Sequence, residues 1–215
     1  MQHLVLLTTC CVLHSAVGLR LSDEAVRVAM AHRLGCKGCE RQTCVCGKMA
    51  NAPGLHGLSC HRSAPRHQRH SHLNDIIWRA TKQAQVPAVK EPISLMGDDN
   101  KRPDGSTLLP WAKGKPMAWD VTVPDTYAES HIGNTSTKPG AAAQKPAQNN
   151  DKYARLNNTH IFYTLADGTW HDTAIELTQE FGRRISAVTE DNRETTFRFQ
   201  RLSIALQRRN TMNTT

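Results

Sequence analysis

Two acids and a cluster of sulfur and imidazole donors are the side chains here whose types and spacing could do chemistry. Asp104 and Asp120 lie within "KRPDGSTLLPWAKGKPMAWDVT", residues 101 to 122. Two carboxylates brought together repel unless a cation joins them, and Mg²⁺ takes one or two carboxylates together with substrate phosphate. Such a pair suits metal-assisted cleavage of a phosphodiester. Pro103-Asp104-Gly105 is also a common turn tripeptide, and on that view Asp104 shapes a turn while Asp120 is an exposed strand residue. The second group is Cys44, Cys46, His56 and Cys60. Three thiolates and one imidazole make a closed tetrahedral set of the kind structural zinc takes. The single residue between Cys44 and Cys46 is a tight bite, and Cys39 is an alternative for either one. Gly47 and Gly54 permit the turns that join the two halves.

These groups need elements to position them. "STLLPW" and "PMAWDVTV" flank Ala-Lys-Gly-Lys, a four-residue loop with glycine, and read as a hairpin. A period of two in the second arm puts Asp120 and Thr122 on one face and Trp119, Val121 and Val123 on the other. The apolar face belongs to a core, so the Asp face looks toward water or a cleft. Val86 to Leu95 is a further strand, confined to a sheet edge or its own ends by Pro87 and Pro92. "IFYTLA" is another short strand. "LSDEAVRVAMAHRLG" (21 to 35), "LNDIIWRATKQAQ" (73 to 85), "HDTAIELTQEFGRRISAVTED" and "RETTFRFQRLSIALQRRN" have helical spacing and capping signals. Leu73, Ile76, Ile77 and Ala80 form the inner face of the second of these. In the last, Phe197, Leu202, Ile204 and Ala205 pack inward, and Arg198, Arg201, Arg208 and Arg209 make a solvated basic face, with contact to a DNA backbone as the alternative reading. Residues 61 to 72 are a basic, histidine-rich lead-in. Residues 36 to 60 lack periodicity and form an irregular knob, and 133 to 150, rich in Gly, Ala, Pro and Asn, a flexible loop. The order of elements specifies an α/β (α+β) domain of modest size.

The 215 residues are 39% apolar, enough for one core and a small appendage but not for two full domains. Lysine and arginine outnumber acids 27 to 19, a net charge of +8 that favours polyanionic partners such as nucleic acid or an acidic membrane surface. Of seven cysteines, five (Cys36, Cys39, Cys44, Cys46 and Cys60) fall between residues 36 and 60. Clustering with histidine points to zinc and a reducing compartment rather than a disulfide scaffold. A Cys44–Cys46 disulfide would be strained. Residues 1 to 18 have an apolar middle diluted by Thr8, Thr9 and His14, with no Lys or Arg ahead of it, too short and interrupted to span a bilayer. They read as an atypical lead-in to the first helix; a secreted, disulfide-containing basic protein is the alternative.

The blocks "GLRLSDEAVRVA", "CVCG", "HGLSC", "RHSHLND", "VKEP", "KRPDG", "WDVTV", "KYARL" and "ETTFRFQRLSIALQR" occur in this order across residues 19 to 210. In them the chain resembles the C-terminal portion of reverse transcriptase polyproteins of non-long-terminal-repeat retrotransposons with a restriction-like endonuclease. The resemblance implies a CCHC zinc knuckle over 36 to 60 and a PD-(D/E)XK nuclease over 61 to 210, a small mixed sheet flanked by helices, followed by a tail at 211 to 215. It implies Asp104 and Asp120 as ligands of catalytic Mg²⁺ or Mn²⁺. Thr122 stands where the basic pattern places lysine, and Lys152 is the residue that matches a lysine moved to a following helix. Glu91 is a candidate additional acid. Arg62, Arg69, His70, Lys101 and Arg102 are candidate nucleic-acid contacts, with Asp75 orienting Arg69 and His70. The implied activity is DNA nicking for target-primed reverse transcription in the nucleus, with DNA, element RNA and a reverse transcriptase portion absent from this chain as partners, and no membrane. Pro146 interrupts the helix that should carry Lys152, and "IFYTLADGTW" is a shortened strand. A nucleic-acid-binding remnant that no longer cuts is therefore the alternative outcome.

Overall fold

The computed structural model describes residues 18–34, 36–50, 56, 60, 62, 64–93, 95, 102–122, 153, 155–156, 158–166 and 172–211. Lys101, Lys152, the loop at 133 to 150 and residues 1 to 17 lie outside them. Four helices are described: α1 (Asp23–Leu34), α2 (Ala64–Gln83), α3 (Asp172–Thr189) and α4 (Glu194–Thr211). The strands are β1 (Ala88–Lys90), β2 (Gly105–Thr107), β3 (Met117–Thr122) and β4 (Ile161–Ala166). They form one sheet in the order β1-β2-β3-β4, with β1/β2 and β2/β3 antiparallel and β3/β4 parallel. The protein is thus a mixed α/β fold with a four-stranded mixed sheet flanked by helices.

Binary patterning explains the layers. Met117, Trp119 and Val121 of β3 join Tyr163 of β4 in one cluster with Leu73, Ile76, Ile77 and Ala80 of α2, Ala174, Leu177, Phe181 and Ile185 of α3, and Leu202 and Ala205 of α4. The alternate residue Ala118 faces the other way, against Tyr153 and Leu156. The two-residue period expected around Asp120 therefore holds. Leu19, Leu21 and Ala25 at the start of α1 pack on Ile204 of α4.

Three details differ from the sequence-based expectation. First, α2 begins at Ala64, nine residues ahead of Leu73, so the basic, histidine-rich stretch is part of the helix rather than a lead-in to it. Second, β2 is only three residues long, and Leu108 and Leu109, expected within a strand, are exposed. The hairpin closes through a two-residue loop, Lys113-Gly114, with Ala112 and Lys115 bridged across it. Both loop residues have positive φ, 51° and 73°, the handedness that matches strand twist in tight hairpins. Third, Arg198 is buried, with its guanidinium on Glu194, one helical turn earlier. It belongs to the interior rather than to a solvated basic face.

The α3/α4 crossing depends on Gly182. A Cβ there would lie 2.4 Å from the Thr195 Cα and 2.1 Å from its Oγ1. Gly182→Ala should destabilise the domain by about 2–3 kcal/mol through overpacking, despite alanine's better helix propensity. Thermal unfolding followed by circular dichroism should show the midpoint fall by roughly 5–10 °C.

At the α3–α4 junction, Asp191 accepts hydrogen bonds from the Arg193 side chain and backbone N–H. These hold its carboxyl down at about 2. The contribution is complete above the ordinary carboxylate range near 3.8 and is lost as pH falls from there through about 2. Asp191→Asn should therefore lower the urea midpoint relative to the parent at pH 6, with most of the difference gone by pH 2, where the parent's carboxyl is itself half protonated.

Candidate functional site

The carboxylate site arises from strand register. Gly105 pairs with Trp119 and Ser106 with Ala118, so continuing the ladder by one residue sets Asp104 opposite Asp120. Residues directly opposite on antiparallel strands have Cβ atoms about 4.5–5.5 Å apart and share a face. Asp104 Oδ2 accepts the Val121 N–H at 2.5 Å and lies 3.0 Å from His70 Nε2. Asp120 Oδ1 accepts the Tyr153 hydroxyl at 2.6 Å, and its Oδ2 accepts the Thr122 hydroxyl at 3.1 Å. Burial first, and then the hydrogen bond to Asp120, push the Tyr153 pKa up, so the hydroxyl remains a donor.

His70 is brought here by α2. Its hydrogen bond to Asp104, reinforced by the charges of Asp104, Asp120 and Glu91, raises its pKa above the usual imidazole value. One turn along the helix, Asn74 is buried. Its amide donates to the Asp104 carbonyl at 3.3 Å, and its Oδ1 accepts the Trp119 indole N–H at 2.9 Å. Asn74 therefore ties the core tryptophan to the peptide that carries Asp104. Neither Asn74 nor Tyr153 was singled out from the sequence. A polar residue on the inner face of α2, between Leu73 and Ile77, is the signal that could have found Asn74; Tyr153 had none beyond its place beside Lys152.

The other candidates divide. Glu91 is exposed, and its N–H donates to the Asp104 carbonyl at 3.1 Å, which places it at the edge of the site. Its φ of 46° is unusual for a residue with a side chain. Arg62 and Arg102 are exposed. Arg69 is buried, 6% exposed, which removes it from the surface a nucleic-acid backbone could reach. Asp75 pairs with Lys90 rather than orienting Arg69 or His70.

The second site is the Cys/His cluster. Cys44, Cys46, His56 and Cys60 bring one donor atom each within 4.8 Å of one another. Cys39, the alternative ligand, is not among them. The local backbone is a narrow loop: Thr43 bridges Met49, the Cys44 N–H donates to the Lys48 carbonyl, and Gly47 turns the chain with φ of +85°. The tight Cys44-x-Cys46 bite is thus met by a turn. Cys44 and Cys60 sulfurs are 3.6 Å apart, and Cys46 Sγ is 3.2 Å from His56 Nε2. Donors bound at about 2.3 Å (sulfur) and 2.0–2.1 Å (nitrogen) around a tetrahedral zinc would be separated by about 3.6–3.8 Å, a spacing the Cys44–Cys60 pair meets, and the four donors could hold a structural zinc with small side-chain adjustments. A hydrogen bond from the Lys48 N–H, followed by those from Cys44, Cys60 and His56, lowers the Cys46 pKa to about 6. Burial raises that of Cys60. Metal binding requires the cysteine ligands in their ionised form. The five described cysteines form no disulfides.

No helix among the described residues is long and apolar enough to cross a membrane. Compared with known proteins, the chain matches no family model and no curated protein.

Proposed function

We propose that this protein is a retrotransposon-derived, divalent-metal-dependent DNA endonuclease of PD-(D/E)XK type, joined to a zinc knuckle. One observation supports the nuclease reading above the others: the β2/β3 register that sets Asp104 opposite Asp120 on one face. With the two carboxylates so placed, Asp104 and Asp120 would hold Mg²⁺ or Mn²⁺. The ion would supply charge stabilisation at the phosphate and a more acidic bound water.

The chain's own groups have separable tasks. Tyr153 and Thr122 fix the rotamer of Asp120 through hydrogen bonds to different carboxylate oxygens. The Val121 N–H and His70 fix Asp104 through Oδ2. His70, with its raised pKa, offsets part of the negative charge that the two acids accumulate. Lys152 is assigned to orient the attacking water or stabilise charge on the phosphate. Exposed Arg62 and Arg102, with Lys101, contact the nucleic-acid backbone. In the family this cut leaves a 3′ hydroxyl that primes reverse transcription by a polymerase, and element RNA is then a second partner.

A nicking assay on supercoiled plasmid with Mg²⁺, comparing the parent with Asp104→Asn and Asp120→Asn, tests the proposal. Both variants should lose nicking; activity that survives in both overturns it. A second reading, a nucleic-acid-binding remnant, is favoured by Thr122. It stands where the basic pattern places lysine and donates its hydroxyl to Asp120. On that reading the parent binds DNA but nicks no faster than its variants.

A further inference from the structure

On the side of α2 turned away from Asp104, a cleft of about 280 Å³ opens between the Gly18–Leu19 segment, α2 and α4. Arg79, Arg201, Arg208 and His72 line it, above an apolar floor that includes Ile76 and Ile204. The helical period separates the two sides: His70 and Asn74 reach the carboxylate site, while His72, Asp75 and Arg79 lie roughly opposite on the same helix.

The charges in this cleft do not balance. Asp75 is the one carboxylate in its lining, and Lys90 already pairs with it. Three guanidinium groups remain. Arg208 uses Nη2 for the Gly18 and Arg20 carbonyls, at 2.8 and 2.6 Å, which holds that segment against α4 without neutralising any charge. Among the described residues, no carboxylate forms an ion pair with Arg201 or Arg208, although the Glu194 charge attracts Arg201. Burial, and then repulsion from Arg198 and Arg79, lowers the Arg201 pKa. Like charges held in a partly desolvated cleft attract an anion, and guanidinium forks match phosphate oxygens in pairs.

We propose that this cleft is a phosphate-binding site that seats a backbone phosphate of DNA, on the opposite side of α2 from the carboxylate pair. The identification of the ligand as DNA rests on the function proposed above. Apart from His72 the lining has no ring on which a base could stack, which favours a phosphodiester backbone over a free nucleotide. The net charge of +8 supplies the long-range attraction for such a polymer.

The test is binding of a short fluorescent duplex of random sequence, titrated at a series of NaCl concentrations. The proteins compared are the parent, Arg79→Gln, Arg201→Gln, the double variant, and Arg183→Gln as a control on exposed α3. Removing one phosphate contact should weaken binding about eightfold at about 0.1 M salt and reduce the slope of log K against log salt by about 0.9. The double variant should weaken binding about 60-fold and reduce the slope by about 1.8, and the control should show less than a twofold change. Arg79 is exposed, so Arg79→Gln alone decides the matter if the double variant fails to fold. Parent-like affinity and slope in a folded Arg79/Arg201 variant overturn the cleft. Inorganic phosphate at millimolar concentration that competes equally well with parent and double variant also overturns it. Failure of the nuclease proposal looks different: the parent never nicks, yet binding still depends on Arg79 and Arg201. Nicking with an unchanged salt slope in the double variant sinks the cleft and leaves the nuclease standing.

Discussion

Chelation of zinc from protein purified under reducing conditions should unfold residues 36 to 60 and leave the sheet and its helices folded. The purified protein should carry one zinc per chain by elemental analysis, and Cys46→Ser or Cys60→Ser should abolish it. The expected effect is large because little else organises this segment. Among its described residues, Ala50 and Cys60 are its buried apolar side chains, and Val45 and Met49 are 78% and 63% exposed. Among its described residues, the backbone is held by the loop closed by Thr43 and Met49, the turn at Gly47 and the hydrogen bonds from the Ala50 N–H to the Gln42 carbonyl and from the Cys60 N–H to the His56 carbonyl. A structural zinc contributes on the order of 10 kcal/mol in small zinc domains, far more than such a loop could gain from burial. The main core, in contrast, draws on α2, α3, α4 and the sheet and includes no residue between 36 and 60. Limited proteolysis with and without chelator should therefore cut the knuckle first and leave a fragment starting near α2. If the purified protein lacks zinc and its knuckle resists protease, the assignment fails.

Loss of plasmid nicking in Asp104→Asn and Asp120→Asn is the second large effect. A carboxylate that holds a catalytic divalent ion contributes several kcal/mol of transition-state stabilisation, which corresponds to a fall of roughly 10²–10⁴ in rate. The two substitutions should differ in their effect on folding. Asp120 takes its hydrogen bonds from the Tyr153 and Thr122 hydroxyls, and Asn retains a carbonyl acceptor for them. Asp104 takes the Val121 N–H and sits against His70, so Asp104→Asn also removes a charge-assisted contact and should lower stability modestly. Thermal midpoints measured beside the rates distinguish lost chemistry from lost fold. Tyr153→Phe offers a graded comparison. It keeps the packing against Phe162, with ring centroids 4.4 Å apart, and removes the hydroxyl that donates to Asp120 and also lies 3.0 Å from the Arg102 carbonyl. Its rate should fall between those of the parent and Asp120→Asn.

Strands and helices with strong periodicity were readable from sequence because one face of each must be apolar. Trp119 and Val121 against Asp120, and the Leu73-Ile76-Ile77-Ala80 stripe, found their partners as the pattern required. The grouping of Cys44, Cys46, His56 and Cys60 was legible as well, from donor type and clustering, while the tight Cys44-x-Cys46 spacing had left Cys39 open as an alternative. Other features depend on tertiary contacts that no local pattern encodes. Arg198 has the side chain of a surface residue, yet Glu194 lies one turn away and provides a partner for it in the interior. Arg69 is likewise buried, in a stretch that reads as a basic, histidine-rich lead-in with Arg69 as a nucleic-acid contact. Lys113-Gly114 closes a tighter loop than its four-residue frame suggested, because positive φ at both positions lets Ala112 and Lys115 pair. The cleft between α2 and α4 was hidden for the same reason: Arg79 and Arg201 are 122 positions apart in the chain and meet only when the helices pack.

Asn74 imposes a constraint on anyone who would engineer this protein. Its amide is shared between an indole in the interior and the peptide that presents an acid at the surface. Redesign for heat tolerance that substitutes the tryptophan, or shifts it by a fraction of an ångström, would misplace that acid as well. Thermostabilising changes are better directed at the α1/α4 contact, where Leu21 and Ala25 meet Ile204.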